Sequence, residues 1–279
     1  MSGKSPIKDV LTIVDLAGIG PSARVAADLA AKVGAHVTAL APVVEPVSAA
    51  YLATPIPAEI LMEARDSAET RAKTAAATVD QFLRTSGVSS EPELFSVVDG
   101  AANSLIARAR LADLAIVGQL EPGTEEPMRE ALIEALLFET GVPMLLVPYI
   151  EIAAFAPKHV AVAWDGSKTA ARAVRALVGL LDLVEKITVV VVDKGRAVDE
   201  DPGADVALHL ARHGKPVTVS RIPSPGGDVA AAILNFVSDN GIDLVVMGGY
   251  GHSRFREFIL GGATRGMLDA MTVPVLMAH

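Results

Sequence analysis

The sequence contains no cysteine, and only 4% of its residues are aromatic, with a single tryptophan. The absence of cysteine excludes disulfides, iron–sulfur clusters, cysteine zinc sites and thiol nucleophiles, and nothing argues for an oxidising compartment. Because 51% of the residues are hydrophobic but few carry rings, the core has to be built mainly from Ala, Val, Leu and Ile. This composition favours closely packed α/β layers.

Long apolar runs and an excess of positive charge are also lacking. Asp, Glu, Lys or Pro interrupts every apolar run before it reaches the roughly 18 residues of a membrane-spanning helix. The net charge of −9 disfavours binding to nucleic acid through phosphate neutralisation. The N-terminal apolar stretch is not followed by a small-residue cleavage site, so we interpret it as a first strand. We expect a cytoplasmic protein with neither a membrane nor a nucleic acid as partner.

The chain repeats itself. The length of 279 residues favours two domains, and three short stretches of the first part have counterparts in the second. The pairs are DVLTIVD at 9–15 with HVAVAWD at 159–165, DLAIVG at 113–118 with DLVVMG at 243–248, and GVPMLLV at 141–147 with TVPVLMA at 272–278. We therefore predict two similar domains, residues 1–150 and 151–279, called the first half and the second half below.

In both halves short apolar runs alternate with longer stretches of helical period, as in a parallel sheet covered on both faces. Strands are predicted near 9–14, 36–41, 93–97, 113–117 and 142–147, and again near 159–164, 187–192, 216–221, 243–247 and 273–277. Helices are predicted in the second half near 167–182, 203–213, 226–239 and 262–271. The first half adds a long segment, 46–87, whose later part has the pattern of an amphipathic helix. That segment is either a lid or partner-facing surface, or an ordinary connecting helix.

A glycine-rich stretch follows the apolar run DLVVM of the second half. Glycines at the carboxyl end of a strand let the backbone turn and expose N–H groups, which bind anions. The pair Gly261–Gly262 then opens the next predicted helix, whose N-terminal amides also favour phosphate. Between these two elements the sequence supplies candidate side-chain donors, namely His252, Ser253, Arg254 and Arg256.

The spacing of these glycines resembles that of the nucleotide-binding members of the universal stress protein family. Gly248, Gly251 and Gly261 are separated by two and nine residues, as in the family motif, and Asp165 and the closing strand VPVLM also match. The sequence departs from the motif after Gly261, where Gly262 replaces a Ser or Thr and the hydroxyl of Thr264 comes two residues later. The resemblance covers essentially the whole chain as two tandem domains, with the clear motif only in the second half.

The resemblance implies an α/β fold of two doubly wound, five-stranded parallel-sheet domains with strand order 3-2-1-4-5. It also implies a ligand, ATP or a related adenine nucleotide with Mg²⁺, at the carboxyl ends of strands one and four. The backbone around Val190 and Val191 would contact adenine, and Asp165 would lie near the ribose and Mg²⁺. The residues implied around the phosphates are Gly248, Gly251, His252, Gly261, Gly262, Ala263 and Thr264.

The first half lacks this loop. Its fourth strand ends in Gly118, but Glu121, Glu125 and Glu126 follow where a phosphate would sit, and acidic side chains repel phosphate. We therefore interpret the first half as a degenerate partner domain in which Asp15 caps a helix or orders a turn. For Asp165 the same alternative is open, because DGSKT also resembles a helix entry that competes with Ser167 for the cap.

Two histidines form a further pattern in the second half. His209 and His213 are four residues apart and could face a metal, but no third ligand is apparent, and histidines near a helix C-terminus are a simpler account.

The strands at 142–147 and 273–278 each place a proline near the start of an apolar run, which is tolerated best at a sheet edge. We predict that these two strands pair across a pseudo-twofold axis, with a further homodimer allowed but not required.

Three functions follow from the sequence. The first is a stress-response protein that binds an adenine nucleotide as a regulatory ligand, with weak hydrolysis at most because no residue is placed as a general base. The second is a nucleotide-free member of the same family that acts as an interaction scaffold. The third is an enzyme that adenylylates a substrate on this fold, for which a dedicated pair of catalytic motifs is missing.

Overall fold

The computed structural model describes residues 5–44, 57–96, 103–121, 127–150, 152, 154–193, 202–250 and 262–279. The first half contains β1 (Asp9–Ile13), α1 (Pro21–Val33), β2 (His36–Val43), α2 (Ala58–Thr85), β3 (Ser89–Ser96), α3 (Asn103–Ala109), β4 (Leu114–Gly118), α4 (Pro127–Glu139) and β5 (Met144–Val147). The second half contains β6 (His159–Ala163), α5 (Lys168–Val178), β7 (Lys186–Asp193), α6 (Ala204–Ala211), β8 (Val217–Pro223), α7 (Val229–Asn240), β9 (Leu244–Gly248), α8 (Gly262–Ala270) and β10 (Val275–Ala278).

All the strands in the described ranges join in one ten-stranded sheet with the order β3-β2-β1-β4-β5-β10-β9-β6-β7-β8. Read inward from the outer edge to the centre of the sheet, each half has the predicted strand order 3-2-1-4-5. Within each half all the pairs are parallel. The α/β class and the strand order predicted from the sequence are therefore confirmed.

The two halves meet through the antiparallel pair β5–β10. Leu145 pairs with Leu276, flanked by the pairs Leu146–Val275 and Met144–Met277. Pro143 and Pro274 immediately precede the two strands, and their carbonyl groups accept bonds from Ala115 and Val245. The predicted contact between the terminal strands is confirmed, and it buries two edges that would otherwise be exposed.

Helices cover both faces of the sheet. One hydrophobic cluster packs α1, α2, α5 and α6 against one face, and a second packs α3, α4, α7 and α8 against the other. Because side chains alternate across a strand, Val10 belongs to the first cluster and Leu11 to the second. The helices α4 and α8 lie on the same face of the sheet.

Local sequence signals explain several element ends. Pro21 begins α1, and Gly34 ends it with a left-handed φ of 68°. Ser167 caps α5, and Asp228 caps α7, each by accepting a backbone N–H three residues later.

Two predicted boundaries were wrong. The strand β3 begins at Ser89 rather than near 93, and α5 ends at Val178, with a short 3₁₀ turn at 181–183 where helix was predicted. The predicted helix in the long segment is confirmed as α2, and residues 45–56 before it lie outside the described residues. The division of the chain at residue 150 stays a prediction.

Candidate functional site

The strand order reverses at β6 in the second half. This strand pairs with β7 on one side and with β9 on the other, all three parallel. Asp165 follows β6 by two residues, and Gly248 is the last residue of β9. In open α/β sheets, ligands bind outside the carboxyl ends of the strands at such a reversal. The fold therefore brings Asp165 and Gly248 to the edge of the sheet where a ligand crevice is expected.

Gly248 has no room for a side chain. A Cβ added there would lie 2.6 Å from the backbone nitrogen of Ala170 and 2.8 Å from the carbonyl carbon of Thr169. The first turn of α5 thus packs directly on the end of β9. The close packing requires glycine at this position whether or not a ligand binds.

Asp165 is exposed and orders the entry to α5. Its Oδ1 accepts the N–H of Ser167 at 2.9 Å, and Ser167 Oγ in turn accepts the N–H of Ala170 at 3.1 Å. Ser167, rather than Asp165, is therefore the helix cap. Asp165 Oδ2 has no hydrogen-bond partner among the residues that the structure describes, and it lies near the positive end of a helix dipole.

Val190 and Val191 lie where β6 ends beside β7. The ladder between these strands stops at the pair Ala163–Val190, and the carbonyl of Val190 accepts the N–H of Trp164 at 2.9 Å. Val190 is fully buried, whereas Val191 is half-buried. Since β7 continues to Asp193, Val191 is the one of the pair that lies beyond the end of β6.

The start of α8 forms the other described wall. Gly262 is exposed and Ala263 is half-buried. Thr264 is buried, and its Oγ1 accepts the N–H of Tyr250 at 3.1 Å. The hydroxyl of Thr264 thus joins the end of the β9 segment to the first turn of α8.

Three of the predicted phosphate residues lie outside the described residues: Gly251, His252 and Gly261. Of the other predicted site residues, Asp165 and Gly248 share the carboxyl edge of the sheet. Their contact with a nucleotide stays a prediction.

Tyr250 is a residue of this region that sequence reasoning missed. Its φ of 49° is left-handed, and its ring lies 4.8 Å from the ring of Phe138 between centroids. Burial, followed by the nearby carboxylates of Glu134 and Glu130, raises the pKa of the Tyr250 phenol to about 12. A large aromatic side chain between two motif glycines was the available signal in the sequence.

The equivalent crevice of the first half contains a guanidinium group. Arg129 Nη2 lies 3.6 Å from Asp15 Oδ2, and a Cβ added to Gly118 would lie 3.2 Å from Arg129 Nη1. Asp15 Oδ1 accepts the N–H of Ala17, so its predicted turn-ordering role is confirmed. Arg129 carries no motif that would reveal its role from the sequence. Of the glutamates expected to repel a phosphate, Glu121 is exposed, and Glu125 and Glu126 lie outside the described residues.

The two histidines lie at the C-terminal end of α6, His209 inside the helix and His213 two residues after its end. The rings of His209 and His213 are 5.1 Å apart in a T-shaped contact. Among the residues that the structure describes, no three His, Asp or Glu side chains are grouped to hold a metal ion. None of the described helices combines the length and apolar character needed to cross a membrane.

Comparison with known proteins places most of the second half in a protein family. Residues 157–279 match the family model described as the Universal stress protein family. Residues 157–279 therefore belong to the universal stress protein family. A curated relative, "Universal stress protein Slr1230" of Synechocystis, is 31% identical over 119 residues, which are 41% of this chain and 40% of the relative. The chain thus spans less than half the length of that universal stress protein.

Two solved structures show the fold over almost the whole chain. A universal stress protein from Archaeoglobus fulgidus has a TM-score of 0.71 at 19% identity and covers 97% of this chain and 95% of its own. A structure described as a putative universal stress protein from Pseudomonas aeruginosa has a TM-score of 0.59 at 15% identity, with coverage of 98% and 93%. These likenesses extend the universal stress protein architecture to the first half as a fold.

Proposed function

We propose that this universal stress protein binds one adenine nucleotide, ATP or a close relative with Mg²⁺, in the second half and none in the first. One observation carries the proposal: Asp165 and Gly248 lie at the carboxyl ends of adjacent strands, at the point where the strand order reverses. The family membership of residues 157–279 and the glycine spacing support it.

The residues fit such a ligand in chemical terms. Asp165 Oδ2 is a carboxylate oxygen suited to a ribose hydroxyl or to Mg²⁺, which prefers oxygen ligands. The exposed Gly262 at the start of α8 offers a backbone amide to a phosphate. Val191, past the end of β6, offers a half-buried apolar contact to a base.

The difference between the halves is one of charge and space. In the first half, Arg129 pairs with Asp15 and reaches Gly118, so it occupies the position that the ligand would take in the second half. We therefore expect one nucleotide per chain. We also expect the nucleotide to act as a regulatory ligand in a cytoplasmic stress-response protein, with weak hydrolysis at most.

The experiment is titration of the full chain with Mg-ATP by calorimetry, comparing Asp165→Asn with Asp15→Asn. Each aspartate orders a turn through one carboxylate oxygen, so the two variants make the same chemical change at the same kind of turn. Asp15→Asn also weakens the pairing with Arg129. We expect one site, weakened at least tenfold by Asp165→Asn and unchanged by Asp15→Asn. Binding weakened only by Asp15→Asn, or two equal sites, would contradict the assignment.

The sequence motif has a separate test. Gly251→Val and Gly261→Val add bulk where phosphates are expected to approach the backbone, so each should obstruct binding while circular dichroism shows an intact fold. Unchanged affinity in folded protein would argue against the loop as the phosphate site.

A nucleotide-free scaffold is the second candidate, and specific contacts favour it. Packing against α5 requires glycine at position 248, and the hydroxyl of Thr264 accepts a hydrogen bond from the N–H of Tyr250. Both residues therefore have structural roles without a ligand. In that case the full chain would bind no adenine nucleotide, and none would be retained through purification and detected by mass spectrometry.

A further inference from the structure

The last turn of α4, in the first half, packs on the end of the β9 segment in the second half. The ring centroid of Phe138 lies 4.8 Å from that of Tyr250 and 4.8 Å from that of His279. A Cβ added to Gly249 would lie 2.7 Å from Leu137 Cδ2, so glycine permits this close approach. The two residues that follow Gly248 are thus in contact with the other half of the chain.

Hydrogen bonds hold the same two residues from within the second half. The N–H of Gly249 donates to the carbonyl of Ala278 at 2.9 Å, and the carbonyl of Gly249 lies 3.0 Å from His279 Nδ1. The N–H of Tyr250 donates to Thr264 Oγ1 at 3.1 Å. Tyr250 therefore links the end of β9 to the first turn of α8, the two walls between which the phosphates are expected.

The backbone of Tyr250 is costly to hold in this position. Its φ of 49° is left-handed, a conformation that brings the Cβ of a residue with a side chain too close to the following carbonyl oxygen. The bond to Thr264 and the ring contact with Phe138 offset that cost. Without the Phe138 ring, the bond to Thr264 would have to hold Tyr250 with less support.

We propose that Phe138 of the first half is a positioning residue for the nucleotide site of the second half. It acts through Tyr250, which keeps the end of β9 and the start of α8 at a fixed separation. This inference rests on the proposed function. A site that has to be ordered when the ligand binds has a lower apparent affinity than one that is already in place. The degenerate half thus has a role in binding although it takes no nucleotide itself.

The coupling is reciprocal. If Phe138 favours the binding-competent arrangement of Tyr250, bound nucleotide favours the contact of Tyr250 with Phe138 by the same factor. Nucleotide should therefore increase the hydrogen-exchange protection of the last turn of α4. A residue with only a structural role would not produce this ligand-dependent change in the first half.

The test compares Phe138→Ala with Ser5→Ala in the full chain. Ser5 also makes a contact between the halves, because its Oγ donates to the carbonyl of Gly179 at 2.9 Å. Gly179 follows the C-terminal end of α5, whereas Asp165 lies at the N-terminal end. Mg-ATP affinity is measured by calorimetry, and hydrogen exchange of residues 136–140 is measured with and without Mg-ATP. Phe138→Leu, which keeps an apolar side chain of similar reach without the ring, serves if the alanine variant does not fold.

We expect Phe138→Ala and Phe138→Leu to raise Kd about three- to tenfold, the equivalent of one aromatic pair. Ser5→Ala should leave Kd unchanged. On addition of Mg-ATP, residues 136–140 should gain hydrogen-exchange protection in the wild-type chain and in Ser5→Ala, but not in the Phe138 variants. Wild-type binding with unchanged Kd in a folded Phe138 variant would overturn this inference and leave the proposed function standing. No binding by the wild-type chain would overturn the proposed function, and this inference with it.

Discussion

Arg129 Nη2 lies 3.6 Å from Asp15 Oδ2 in the first half, in the crevice that corresponds to the one beside Asp165 in the second half. The arginine side chain is 20% exposed and the aspartate side chain 33% exposed, so the pair is partly shielded from water. The repeat thus keeps the backbone plan of the crevice in both halves, and in the first half the side chain of Arg129 is added to it.

This pair predicts a small coupling energy in the first half. Arg129→Ala and Asp15→Ala should each lower stability, and a double-mutant cycle in urea should give an interaction of about 0.5–1 kcal/mol. Mg-ATP affinity should not change, because Asp15 and Arg129 belong to the first-half crevice and not to the contact between Phe138 and Tyr250. Zero coupling, or a loss of nucleotide affinity in Arg129→Ala, would show that this arginine has another role.

Gly248 and Gly118 occupy the same position in the two halves and predict different costs for alanine. In Gly248→Ala the new Cβ would meet the backbone of Thr169 and Ala170, which cannot move without shifting α5. In Gly118→Ala it would meet the far end of the Arg129 side chain at 3.2 Å, which can rotate away. We expect losses of about 1–3 kcal/mol for Gly248→Ala and under about 1 kcal/mol for Gly118→Ala, measured by urea unfolding. Equal losses would contradict the packing described at β9.

The continuous sheet predicts that the two halves unfold together. Trp164, the single tryptophan, follows β6 and reports on the second half. Leu11, fully buried in β1, belongs to the first half, and Leu11→Ala should cost about 2–5 kcal/mol. Because β5 and β10 join the halves, we expect this change to shift the urea midpoint of Trp164 fluorescence. If Leu11→Ala left the urea midpoint of Trp164 fluorescence unchanged, the two halves would unfold independently.

Burial is the largest cause that raises the pKa of Tyr250 to about 12, and this pKa predicts how stability changes at alkaline pH. The folded state favours the neutral phenol, so its contribution to stability is complete below the ordinary pKa of 10.0 and is lost as pH rises through about 12. Ultraviolet titration of the full chain should show a tyrosine component that ionises at about pH 12, and Tyr250→Phe should remove it. The loss of an earlier component instead would contradict the environment described for Tyr250.

Regular elements were predictable where burial leaves a periodic pattern. The runs at 159–163 and 244–248 are buried on both faces of a parallel sheet, so they appear in the sequence as continuous apolar segments. The strand β3 was harder, because its start, SSEPE, is polar and lies on an edge strand. Its extent is decided by pairing with β2, from Ser89 opposite His36 to Ser96 opposite Val43.

The end of α5 shows the same limit. The sequence LVGLLDLV continues the apolar pattern, so periodicity extends the helix to residue 182. In the structure the helix stops before Gly179, whose carbonyl accepts the hydroxyl of Ser5 and which packs beside Ile7. Both partners come from the beginning of the chain, and no local pattern could reveal them.

The sequence by itself determined the repeat, the alternation of strands and helices, the caps, and the positions of Asp165 and Gly248 at the ends of apolar strands. These features depend on neighbours along the chain. Only the tertiary structure decided which side chains meet at those strand ends. The contacts of Arg129 with Asp15 and of Phe138 with Tyr250 join residues more than 100 positions apart. Such contacts arise only after helices pack on the sheet and β5 pairs with β10, because packing, rather than sequence proximity, brings those atoms within reach.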